Sequence, residues 1–99
     1  MDCQTTRHTL RVTNSQGLHL RPCAAIAGLL ARYQAEVKLS RDDRVANGKS
    51  ALELMMLAAP QGTELSVEAT GPDSRQALDA LRALWDILSK EETEAPSQG

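Results

Sequence analysis

The sequence predicts an α+β fold with the element order βαββαβα, in which an antiparallel sheet carries helices on one face and meets water on the other. Three observations lead there. Four segments alternate apolar and polar residues, three repeat apolar residues at helical spacing, and clusters of Gly, Pro, Asn, Asp and Ser separate them. The 99 residues suit one domain with one core. Hydrophobic residues make up 41% but aromatics only 2%, with no Phe, so that core must be built from Leu, Val, Ile, Ala and Met.

From Arg7 to Thr13, Leu10 and Val12 lie on one side and Arg11 and Thr13 on the other, as in a half-buried strand. Asn14-Ser15-Gln16-Gly17 reads as a turn. Cys23, Ile26, Ala27, Leu30 and Ala31 then recur at helical spacing, with Gly28 the one weak point before Tyr33. Val37 and Leu39 alternate with Glu36, Lys38 and Ser40 in a second strand, and Asp42-Asp43 turns the chain into a short third strand, Arg44-Val45-Ala46. Ser50-Ala51-Leu52-Glu53 fits a capping box, with the serine hydroxyl serving an N–H three residues on and the glutamate reaching back. It opens a short helix to about Ala58. After Pro60-Gln61-Gly62-Thr63, Leu65, Val67 and Ala69 alternate with Ser66, Glu68 and Thr70 in the fourth strand. Gly71-Pro72-Asp73-Ser74 leads into the longest helix, where Ala77, Leu78, Leu81, Leu84, Trp85 and Leu88 oppose Arg75, Asp79, Arg82 and Asp86. That helix is expected to end near Lys90, leaving residues 91–99 as a flexible acidic tail behind a domain of residues 1–90.

Charge narrows the function. Eleven basic and 13 acidic residues leave a net charge of −2 with no basic stripe, which argues against nucleic acid and for protein partners. Cys3 and Cys23 form no CxxC motif and have no His or Cys at metal-ligand spacing, so no metal site and a reduced protein are expected. No apolar run approaches the roughly 18 to 20 residues of a membrane span, and the first residues lack a signal peptide's apolar stretch. A cytoplasmic, monomeric protein without membrane insertion is the expectation.

One stretch carries chemistry: Gly17-Leu18-His19-Leu20-Arg21-Pro22, where a strand hands over to a helix. Gly17 can take the positive φ of a tight turn, and Pro22 suits a helix's first turn. His19 therefore falls at a helix entrance, where unpaired N–H groups and partial positive charge welcome an anion, and Arg21 adds a planar donor fork. A neutral imidazole there keeps a nucleophilic nitrogen that could take a phosphoryl group, with the amides of Leu20 and Arg21 and the guanidinium holding its oxygens. The six residues alone equally suit a histidine that only caps its turn. His8 lacks such surroundings and reads as an ordinary strand residue.

That hexapeptide, followed by Asn47-Gly48-Lys49-Ser50, Gln61-Gly62-Thr63 and Val67-Glu68-Ala69-Thr70-Gly71-Pro72, closely resembles the HPr family of the phosphoenolpyruvate-dependent phosphotransferase system. The likeness runs from about Arg7 to Lys90. It implies an open-faced β-sandwich whose four-stranded antiparallel sheet has the order 1-4-2-3 under three helices. It also implies a phosphocarrier without cofactor, metal or turnover of its own: His19 is phosphorylated on Nδ1 by phospho-enzyme I and passes the group to a IIA protein or domain. Arg21 then matches the arginine that assists transfer, and Pro22 the residue that shapes the helix entrance. Ser50 matches the serine that a bifunctional HPr kinase/phosphorylase modifies in some members, although Ala51 replaces the usual large apolar residue after it. Leu20 and Ala24 with Leu52 and Met55 match the family's surface for enzyme I and IIA proteins; for Met55 and Met56 the alternative is adaptable core filler. The Val67–Pro72 run leans towards the nitrogen-related, regulatory branch over sugar uptake. A non-catalytic interaction module binding through Leu52 and Met55 is a further alternative. Cys23 stands where the family has a small alanine, as a small hydrophobe or, alternatively, a redox-active thiol.

Overall fold

The computed structural model describes residues 5–94. These form β1 (Thr5–Arg11), α1 (Leu20–Leu30), β2 (Glu36–Arg41), β3 (Arg44–Asn47), α2 (Ala51–Met56), β4 (Glu64–Thr70) and α3 (Ser74–Glu94). The sheet order is β1-β4-β2-β3 with every neighbouring pair antiparallel, the expected open-faced sandwich.

Register explains which face is covered. Leu10 pairs with Leu65, Val67 and Ala46 flank Leu39, and Ala69 pairs with Val37, so one face is apolar. Ile26 and Leu30 of α1, Leu54 of α2 and Leu81 of α3 are fully buried with it. Each such side chain contributes about 1.5–3 kcal/mol by leaving water. The opposite face is polar: Arg7 meets Glu68 at 2.9 Å and Arg11 meets Glu64 at 2.8 Å, exposed pairs that stabilise little. Trp85 fastens α3 to β1 by donating from Nε1 to the Arg11 carbonyl at 2.9 Å.

Element ends depart from the sequence reading for local reasons. Regular β1 stops at Arg11, and Val12 continues the pairing only through its own bonds, donating to the Thr63 carbonyl and accepting from the Gly62 N–H. Helix α2 stops at Met56 because Ala58 turns to a left-handed φ of 52°. Helix α3 runs past Lys90 to Glu94, since Glu91 and Glu92 are good helix formers with no breaker before Pro96. Residues 95–99 of the expected tail lie outside the described residues.

Two carboxylates tie loops together. The Ser50 hydroxyl accepts from the Glu53 N–H as expected, but the Glu53 carboxylate reaches the Asn47 N–H at 2.8 Å, where the capping box predicts the Ser50 N–H. Ser50 instead donates its N–H to the Asn47 carbonyl. The Asp73 carboxylate accepts from the Gln34 N–H at 2.9 Å and the Ala35 N–H at 2.7 Å, joining the loop after α1 to the loop before α3. These backbone bonds, Gln34 foremost, hold its pKa below the ordinary carboxylate range.

Candidate functional site

The approach to α1 is a chain of backbone bonds. Gly17 donates to the Asn14 carbonyl at 2.9 Å and adopts φ +72°, a conformation that disfavours a side chain. Leu18, buried, donates to the Ala59 carbonyl at 3.0 Å, and His19 donates its N–H back to the Gly17 carbonyl at 3.1 Å. His19 is then the extended N-cap residue of α1, its carbonyl taking the Cys23 N–H at 3.2 Å.

Its side chain is left for other work. A histidine that served only as a cap would accept a first-turn N–H through its ring, and His19 makes no such bond. The ring is half-buried. Pro22, which brings no N–H, follows Leu20 and Arg21 in the first turn. No acidic residue occupies that turn. Thus the positive end of an 11-residue helix starts at His19 with Arg21 in its first turn, a combination of charges suited to an anionic group.

The other expected residues divide into two sets. Leu20 is 61% and Leu52 68% exposed, Met55 is 38% exposed and Ala24 is also exposed, on two helices that pack together. Met56 is exposed too, so neither methionine fills the core; Leu54 and Leu57 do. Met56 and Leu52 line a groove against β3 with Arg44, Val45 and Glu53. In the second set, Pro22 is buried beneath the helix entrance and the Ser50 hydroxyl is half-buried as a cap. Cys23 lies wholly in the core, where burial pushes its thiol up to about 11 and makes the reactive thiolate scarce. His8 is a half-buried β1 residue paired with Val67.

Two contributors escaped the sequence reading. The Ala59 carbonyl holds Leu18 through main-chain atoms, which carry no residue signature. Arg41 donates from Nη1 to the carbonyls of Leu57 at 2.8 Å and Ala58 at 2.6 Å. At the end of an alternating strand, nothing in its spacing points across to α2.

Comparison with known proteins places this geometry. The family model PTS-HPr, described as the PTS HPr component phosphorylation site, matches residues 6–86. The phosphocarrier protein HPr of Xylella fastidiosa (strain Temecula1) is 38% identical over 86 residues, covering 87% of this chain and 97% of that one. The phosphocarrier protein NPr of Escherichia coli K12 is 37% identical over 83 residues, covering 83% and 92%. Among solved structures, HPr-C-His from Thermoanaerobacter tengcongensis superposes with a TM-score of 0.81 at 29% identity, covering 88% of this chain and 98% of that one. Fold, family model and relatives agree, and the chain belongs to the HPr family of phosphocarrier proteins of the phosphotransferase system.

Proposed function

We propose that this phosphocarrier accepts its phosphoryl group on Nδ1 of His19 from phospho-enzyme I and delivers it to a IIA protein or domain. The observation that carries the reading is the His19 ring, which caps nothing at the entrance of α1. The Nδ1 lone pair attacks phosphorus, an N–P bond forms, and the bond from phosphorus to its donor atom on enzyme I breaks. The tautomer with its proton on Nε2 is the reactive one. The amides of Leu20 and Arg21 and the Arg21 guanidinium hold the phosphoryl oxygens, while Gly17 and Pro22 set the helix entrance. Enzyme I and the IIA protein dock in turn on Leu20, Ala24, Leu52 and Met55. The carrier acts as a cytoplasmic monomer through residues 1–90. It needs no metal or cofactor of its own, and phosphoenolpyruvate is consumed by enzyme I.

Incubation with enzyme I and phosphoenolpyruvate should give an acid-labile, base-stable phosphate. Equal labelling of a His19→Ala variant would sink the assignment. Should that variant still bind and signal to its partner as wild type does, the interaction-module reading gains instead. The likeness to an NPr and the Val67–Pro72 run support a regulatory output. Fast transfer to a sugar-specific IIA would count against it. Ser50 is the proposed regulatory site: phosphate there would place about two negative charges at the start of the helix carrying Leu52 and Met55. Mass spectrometry after incubation with an HPr kinase/phosphorylase decides that point.

A further inference from the structure

We infer that Arg41 is a positioning residue for His19, acting through the turn that ends α2. The turn is strained at a known place: Ala58 holds φ 52°, a left-handed conformation usually left to glycine. Past the last helical residue, Met56, the carbonyls of Leu57 and Ala58 have no following turn of helix to serve them, and both accept from the single Arg41 Nη1. The Arg41 side chain is only 27% exposed, so this bridge is partly shielded from water. A cation at a helix C-terminus is also favoured by the helix dipole. The next residue, Ala59, is buried, and its carbonyl takes the Leu18 N–H at 3.0 Å. Gly17 lies so close to that carbonyl that a Cβ would overlap it. One side chain from the end of β2 therefore holds the turn against which the two residues before His19 are laid, on the same helix that carries Leu52 and Met55.

The inference rests on the phosphocarrier reading, and its test separates the two. Phosphorylation of the wild-type chain by enzyme I and phosphoenolpyruvate reports on that reading; the Leu18 amide and the His19 ring resonances report on positioning, with or without phosphate. Arg41→Ala, shown to be folded by its chemical-shift dispersion, should shift the His19 ring resonances and speed exchange of the Leu18 amide. It should also lower the rate of phosphorylation about 10- to 100-fold, the scale expected of a misplaced reacting group. Ala58→Gly alone should behave as wild type. Added to Arg41→Ala, it should restore the rate to within about threefold, because glycine adopts the left-handed turn without the bridge. An Arg41→Ala variant with unchanged rate and unchanged His19 resonances overturns the inference. So does a double variant as slow as Arg41→Ala, since Arg41 would then act on the partner directly.

Discussion

Alanine at Gly17 measures how tightly the turn before His19 is built. Two costs separate cleanly. The φ of +72° penalises any Cβ by about 1–2 kcal/mol. A Cβ there also overlaps the Ala59 carbonyl oxygen and lies 3.1 Å from Pro60 Cα, backbone atoms that cannot rotate aside. Moving that carbonyl breaks its bond to the buried Leu18 N–H, which costs a further ~1–3 kcal/mol. Gly17→Ala should therefore lose about 2–5 kcal/mol, a large share of the roughly 5–15 kcal/mol typical of a domain. Gly62 is the control: φ is +93° with nothing within 4 Å of a Cβ, so Gly62→Ala should show only the ~1–2 kcal/mol conformational cost. Gly28, also open but inside α1, should gain about 0.5–1 kcal/mol as alanine. Urea unfolding followed by the single tryptophan, Trp85, whose indole is bonded to β1, gives all three values. Equal losses for Gly17→Ala and Gly62→Ala, within about 0.5 kcal/mol, would refute the contact with Ala59.

Three further outcomes are expected. Ser50→Ala should destabilise by about 1 kcal/mol in the same urea assay, the usual loss for an N-cap acceptor, and Ser50→Asp should recover most of it. Asp73 is held more acidic in the folded chain than in the unfolded one, so its contribution is fully present above the ordinary carboxylate pKa and fades as pH falls through the lower folded value. The stability gap between wild type and Asp73→Asn, from urea midpoints at a series of pH values, should accordingly close towards acid; a gap that widens there contradicts the two backbone bonds. In a Cys3→Ser background, iodoacetamide at neutral pH should leave Cys23 unmodified until urea unfolds the chain. Alkylation of the native chain as fast as of a small free thiol would contradict its burial.

Residue order made most of the fold legible. Strands with one wet face must alternate, so Leu10, Val37, Leu39, Leu65, Val67 and Ala69 announced both the sheet and its covered side. That His19, Arg21 and Pro22 meet at one helix entrance was legible because they are neighbours in sequence. Contacts between distant segments were not. Nothing about Asp73 points to the amides of Gln34 and Ala35, and an alanine at position 58 gives no sign of a left-handed turn, whereas a glycine there would. Glu53 shows the limit of a local motif: the capping box supplied the right serine, yet the carboxylate found the Asn47 N–H.

That last bond also changes what the outer edge of β3 presents. Strand β3 is the outer strand beside β2, and the register Arg41 to Arg44 across the hairpin turns the backbone groups of Val45 and Asn47 outward. An outward row of that kind is a template for strand addition and aggregation. At Asn47 both positions are already taken, the N–H by the Glu53 carboxylate and the carbonyl by the Ser50 N–H. Only Val45 still offers a backbone pair, too short a stretch to seed a new strand. The residue that missed its expected place in the capping box thus blocks strand addition along β3.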